Sequence, residues 1–184
     1  MIGFKYIIVL IGFWFLSGCA SLDQSWRAEA PSAKQNLDKV KIGDIVITAK
    51  DWKSPLSWFG HSAVMIDKYR LGEYPEFGYG YYETDIILWL SKKKNFTVLR
   101  YKGFDEKFKK AFLKNLPNTK DKSYQVVSKT NNDAFYCSQY IWYLYWKTAK
   151  DLGYKLDIDF DGGYFVTPYD LLNSQYFDKV LFIP

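Results

Sequence analysis

Phe104, Phe108, Phe112 and Leu116 recur four apart, with lysines between them. That period places them on one stripe of a helix over residues 105–116, which Pro117 closes. A single apolar stripe has to be buried against a partner layer. The preceding chain offers one. Residues 45–48, 61–67, 81–85 and 96–101 are short runs rich in β-branched and aromatic side chains, separated by Gly-, Pro- and Asp-containing turns. The chain therefore combines short strands with helices. A length of 184 residues fits one domain, and 48% hydrophobic residues are enough for a core. Sixteen Tyr and seven Trp mean that large amphipathic rings fill much of that core or line a groove.

The remaining elements follow from local signals. Residues 61–67 alternate imperfectly, as a mostly buried strand does. Residues 69–80 are turn-rich, Lys92–Lys93–Lys94 reads as a solvated hairpin end, and residues 123–127 are short and extended. Asn131, Asn132 and Asp133 are all suitable N-caps for a helix running to about Lys150. On that helix Cys137, Ile141, Leu144, Tyr145 and Thr148 share a face, so the sulfur points toward the sheet. Thr167 caps a short helix with Pro168 at its first position. Residues 179–183 form a closing strand.

The N-terminus is a targeting segment rather than part of the fold. Lys5 supplies a short positive region, and residues 6–16 are almost unbrokenly apolar but too short to span a bilayer comfortably. Leu16-Ser17-Gly18-Cys19 then resembles a bacterial lipoprotein signal, in which the cysteine is lipidated and becomes the mature N-terminus. The expected division is a signal peptide over 1–18, a polar tether over 19–40 and one domain over 41–184. The tether includes a possible short helix at 33–40. Ala20 after the cysteine favours the outer membrane in a Gram-negative cell. Loss of Lys5 takes the formal charge from +5 to +4, which suits a surface near anionic lipid or wall polymer. No basic stripe or RNA-binding motif points to nucleic acid.

Cys19 is thereby committed to lipid, and Cys137 is left without an intramolecular partner in an exported, oxidising compartment. A thiol at a helix head faces unpaired backbone N–H groups and a partial positive charge, both of which favour the thiolate. The chain has one histidine, His61, at a strand start after Gly60. A thiolate nucleophile needs a base in reach and a third group that orients the base. Glu83, on the next expected strand, can reach the imidazole if the two strands pair, since paired strands lie about 5 Å apart. Glu73, Glu76 and Asp85 are rivals. Trp52, Trp58, Phe59 and Tyr136 flank the pair in sequence and could line a groove or simply pack its rim. No cofactor is called for. One His and one free Cys cannot build a zinc site without several carboxylates.

Gly43-Asp44-Ile45, Gly60-His61-Ser62-Ala63, Tyr82-Glu83, Ser123-Tyr124, Phe135-Tyr136-Cys137-Ser138-Gln139-Tyr140 and Thr167-Pro168-Tyr169-Asp170-Leu171 occur in that order. The series resembles the circularly permuted NlpC-type papain-like hydrolases of the YiiX-like group, over the whole of residues 41–184. The resemblance implies a permuted papain-like α+β fold, with a barrel-like antiparallel sheet packed against helices. It also implies Cys137 as nucleophile, His61 as base and Glu83 as third member. Two departures stand out: Gln139 replaces the Glu that often follows Cys-Ser, and the segment between His61 and Glu83 is longer and Tyr/Gly-rich. The implied activity is a thiol amidase or peptidase, lipid-anchored through Cys19 in the cell envelope and acting on wall peptide. A lipid esterase or acyltransferase using the same residues, or a non-catalytic envelope-binding lipoprotein, are the alternatives.

Overall fold

The structure is a computed structural model that describes residues 28–29, 37–49, 58–92 and 95–180. Nine strands are described: β1 (Ala28–Glu29), β2 (Ile45–Thr48), β3 (His61–Met65), β4 (Arg70–Glu73), β5 (Tyr82–Asp85), β6 (Asn95–Tyr101), β7 (Ser123–Tyr124), β8 (Ala134–Phe135) and β9 (Phe177–Val180). Four α-helices accompany them: α1 (Ile86–Lys92), α2 (Glu106–Asn115), α3 (Cys137–Asp151) and α4 (Pro168–Asn173). The expected α+β architecture is present.

Seven strands make one antiparallel sheet in the order β1-β6-β2-β3-β4-β5, with β9 also pairing β6. Among the described residues no ladder joins β5 back to β1 or β9, so the sheet is open where a barrel-like closure was expected. β7 and β8 form a separate parallel pair. Within the stretch expected to be a tether, Ala28 pairs with Phe96 and Val40 is buried. The signal peptide and Cys19 lie outside the described residues. Among the described residues no helix is long and apolar enough to cross a membrane.

Both faces of the sheet are covered, which is why its strands read as nearly continuous apolar runs. Ile45, Ile47, Val64, Ile66 and Leu99 face one core, filled by Phe108 and Phe112 of α2 and by Tyr140, Ile141, Leu144 and Tyr145 of α3. Val46, Ala63, Met65, Leu71 and Val98 face the other, closed by Ile86, Trp89 and Leu90 of α1. The period of two sorts alternate residues of one strand into different cores. The expected stripe on α2 is the buried one, and Asp105 caps that helix by accepting from the Phe108 N–H at 2.7 Å.

Three local expectations are corrected. Arg70–Glu73 is a strand, not part of a turn-rich loop. It pairs on both sides, with β3 and β5, so its tertiary neighbours decide its conformation. Residues 86–92 form α1 rather than leading into a hairpin end, and Ile86, Trp89 and Leu90 bury an i, i+3, i+4 stripe. Helix α3 begins at Cys137 with Tyr136 as its N-cap, not at 131–133. Asn131 instead closes an Asx turn, its Oδ1 accepting from the Asp133 N–H at 2.8 Å. The closing strand is present and begins at Phe177; residues 181–183 of its expected range lie outside the described residues.

Candidate active site

His61 is the first residue of β3, and its placement is set by the backbone before it. Gly60 has φ +74°, and a Cβ there would lie 2.6 Å from the Thr48 carbonyl oxygen. Only glycine can make that sharp entry. The His61 N–H then donates to Thr48 Oγ1 at 3.0 Å, fixing the start of the strand.

The imidazole's carboxylate partner is Glu73: His61 Nε2 lies 2.7 Å from Glu73 Oε2. Strand parity explains the pairing. Val64 sits opposite Gly72 and Met65 opposite Leu71. Continuing that register puts Ala63 opposite Glu73, so His61 and Glu73 are diagonal neighbours on the face that α1 covers. The carboxylate is held from two further sides. Trp89 donates Nε1–H to Oε2 at 3.0 Å, and Thr84 donates its hydroxyl to Oε1 at 2.6 Å.

The expected assignment of Glu83 as third member is therefore corrected. Glu83 lies opposite Gly72 on β5, one strand further out, and its side chain follows the Gly72 side of the sheet rather than the Glu73 side. There Arg70 Nη1, Lys120 Nζ and Tyr81 Oη donate to it, Lys120 at 2.6 Å and Tyr81 at 3.2 Å. Of the other rivals, Glu76 is exposed, and Asp85 caps α1 by accepting from the Ile87 and Leu88 N–H groups.

Cys137, as expected, heads a helix, and α3 packs across β3. Its thiol and the His61 ring each shift the other's protonation, the ring favouring the thiolate and the thiolate favouring the imidazolium. With Nε2 directed at Glu73, Nδ1 is the nitrogen left for sulfur. The first turn of α3 has no side-chain cap, so the N–H groups at the helix head remain directed at the sulfur end of the site. The Ser62 backbone N–H and hydroxyl also favour the thiolate, although the hydroxyl lies outside ordinary hydrogen-bond geometry.

The charges follow from these contacts. Burial disfavours an imidazolium, but hydrogen bonds and charge from Cys137 and Glu73 outweigh it and raise His61 to about 9. Burial likewise opposes a thiolate, yet His61 and the Ser62 N–H bring the Cys137 thiol below its ordinary value. Glu73 is kept ionised: burial pushes its carboxyl up, and His61, Thr84 and Trp89 more than reverse that. These shifts favour a thiolate–imidazolium pair backed by a carboxylate. Cys137 is 7% exposed and the His61 side chain 15%, so the pair is largely buried.

The neighbours hold the Cys137 helix in place. Ser138 Oγ donates to the Val166 carbonyl at 2.7 Å, and the Val166 N–H donates to Tyr136 Oη at 2.8 Å. Tyr136, expected in a substrate groove, is thus a buried strut. Gln139 donates Nε2–H to the Asn131 carbonyl at 2.6 Å and the Ser128 carbonyl at 3.1 Å. That explains an amide at this position, since a carboxylate would face those oxygens without a proton to offer. Trp58 and Phe59 are exposed immediately before Gly60, and Trp52 lies outside the described residues.

Among the described residues, the metal-competent cluster of three or more His, Cys, Asp or Glu is Asp159, Asp161 and Asp170, all carboxylates. It is separate from the Cys137–His61–Glu73 group.

The chain resembles in fold the crystal structure of the metalloprotein YiiX from Escherichia coli O157:H7. The TM-score is 0.59 at 16% identity, over 77% of this chain and 96% of that one. At that identity the likeness concerns the fold alone. No family model and no curated protein matches the chain.

Proposed function

We propose that the protein is a cysteine hydrolase of the permuted papain-like type, carried on the cell envelope by a lipid on Cys19. In this reading it cleaves peptide amide bonds of the wall. The single observation that carries the reading is the buried His61–Glu73 pair at 2.7 Å, whose ring is electrostatically coupled to Cys137 at the head of α3. A packing role for Cys137 gives no reason for a buried ion pair, whose desolvation is costly unless function requires it.

The chemistry follows from the three groups. The Cys137 thiolate attacks the carbonyl carbon, forming the S–C bond as the carbonyl π electrons move to oxygen. The free N–H groups at the head of α3 are aligned to receive that oxyanion. The oxyanion collapses, the C–N bond breaks, and the His61 imidazolium gives its proton to the leaving amine. Neutral His61 then takes a proton from water, whose oxygen adds to the thioester. Collapse releases the acid and the Cys137 thiolate. Glu73 holds the ring with Nδ1 toward sulfur and stabilises its positive form throughout.

Exposed Phe59 and Phe165 lie next in sequence to Gly60 and Val166, which hold the site, and they favour a second reading, acyl chains of lipid as substrate. Incubation of the mature chain with wall peptides and, separately, with phospholipid vesicles distinguishes the two. Release of new amino groups, abolished by Cys137→Ala and by His61→Ala, supports the amidase. Release of fatty acid alone supports the lipid reading. No turnover of either, with Cys137 alkylated no faster than a free model thiol, refutes both.

A further inference from the structure

Residues 157–162 read Asp-Ile-Asp-Phe-Asp-Gly, acidic at alternate positions with a glycine after the third. Loops that wrap a hard cation begin this way, although Pro168 stands where a helix–loop–helix calcium loop would end on Glu. In the fold, α4 supplies a carboxylate instead. Oxygens of Asp159, Asp161 and Asp170 all lie within 4.8 Å of one another. Two oxygens bound to one ion at 2.3–2.6 Å can stand at most about 5 Å apart, so the spacing suits calcium.

An independent observation points into this cluster. The Asp159 side chain has 0% exposure, and its Oδ2 accepts from Lys129 at 2.5 Å. Its Oδ1 is buried with no hydrogen-bond partner. A buried carboxylate oxygen left without a donor carries an uncompensated desolvation cost. The other two carboxylates also keep capacity in reserve. Asp170 Oδ2 takes the N–H and hydroxyl of Thr167, and Asp161 Oδ1 takes the Gly163 N–H. Asp170 Oδ1 and Asp161 Oδ2 are left over. Asp157 adds a fourth negative charge nearby, while Lys129 is the cation that reaches Asp157 and Asp159.

We propose that Asp159, Asp161 and Asp170 form an all-oxygen site for a calcium ion, apart from the cysteine site and independent of its chemistry. The ion joins the 157–163 loop to the first turn of α4. Between them lies Val166, which is bonded to Tyr136 and Ser138 on either side of Cys137. Calcium therefore braces the wall against which the nucleophile's helix head rests.

The test uses the mature chain carrying Cys137→Ala, so that neither the thiol nor any catalytic activity enters the readout. Calcium chloride titrated by calorimetry is expected to show one saturable site. At a hundredfold excess over Kd the melting temperature should rise by about 5–10 °C. Asp161 is exposed, so Asp161→Asn should leave the calcium-free melting temperature within about 2 °C while weakening calcium binding at least tenfold. As a second measurement, terbium emission excited through Trp142, which is bonded to Asp157 at 2.7 Å, should appear and be displaced by calcium. No saturable binding at millimolar calcium, affinity unchanged in Asp161→Asn, or magnesium bound more tightly than calcium would each overturn the proposal.

Discussion

Replacing Glu73 by Gln removes one charge from the site and almost no volume. Glu73 receives His61 and Trp89 on one oxygen and Thr84 on the other. The Gln amide can keep its carbonyl toward His61 and Trp89 and turn its NH2 toward Thr84, whose hydroxyl can rotate to accept. The shape of the site survives while its negative charge does not. A hydrogen bond to a charged partner contributes about 1.5–3 kcal/mol, and 1.36 kcal/mol corresponds to one pKa unit. His61 should therefore titrate at roughly 7–8 in Glu73→Gln rather than at about 9. The chain has a single histidine, so an untagged sample gives one imidazole signal to follow by NMR across pH. Glu83→Gln is the control: its partners are Arg70, Lys120 and Tyr81, and the His61 titration should not move. An unchanged midpoint in Glu73→Gln, or an equal fall in Glu83→Gln, would refute the assignment of Glu73.

The same pair sets the pH dependence. His61 is raised on folding, so its contribution to stability is complete below the ordinary value of 6.5 and is lost as pH rises through about 9; urea midpoints between pH 6 and 10 should fall accordingly. His61→Ala should return the Cys137 thiol toward its ordinary value and slow its alkylation at pH 7 by about tenfold or more, measured with iodoacetamide. Gly72→Ala drives a Cβ to 2.5 Å from Tyr81 Oη and 2.9 Å from Tyr140 Oη; thermal melts should fall by about 4–10 °C. Gln139→Glu sets a carboxylate against the Asn131 and Ser128 carbonyls. Hydrogen exchange in residues 128–131 should speed up, with about 2–4 kcal/mol of stability lost in urea titration.

Cys137 and His61 stood out without coordinates because the chain has one imidazole and, on the expectation that Cys19 carries lipid, one thiol without a partner. Their elements were legible too, from a helix signal and a β-branched run. Glu73 was hidden by a parity problem. Which carboxylate meets the ring depends on the register of β3 against β4, and Arg-Leu-Gly-Glu does not declare itself a strand. Once β4 was read as a loop, Glu83 became the nearest acid on paper, one strand too far and on the wrong side of the sheet. Helix α1 was obscured differently. Its Ile86, Trp89 and Leu90 stripe was present, but the lysines that follow drew the reading toward a hairpin. Tyr136 looked like a groove residue because it adjoins Cys137. Being the N-cap turned it inward to Val166.

His61 and Glu73 belong to one hairpin, β3–β4, and can meet as soon as that hairpin forms. Cys137 arrives from far along the chain, only when α3 settles on the sheet. Before that moment the thiol has no imidazole beside it and behaves as an ordinary cysteine. The reactivity of this sulfur is therefore expected to appear only once α3 docks, a long-range step in sequence. The onset of alkylation during refolding is then a clock for that step, readable at a single sulfur.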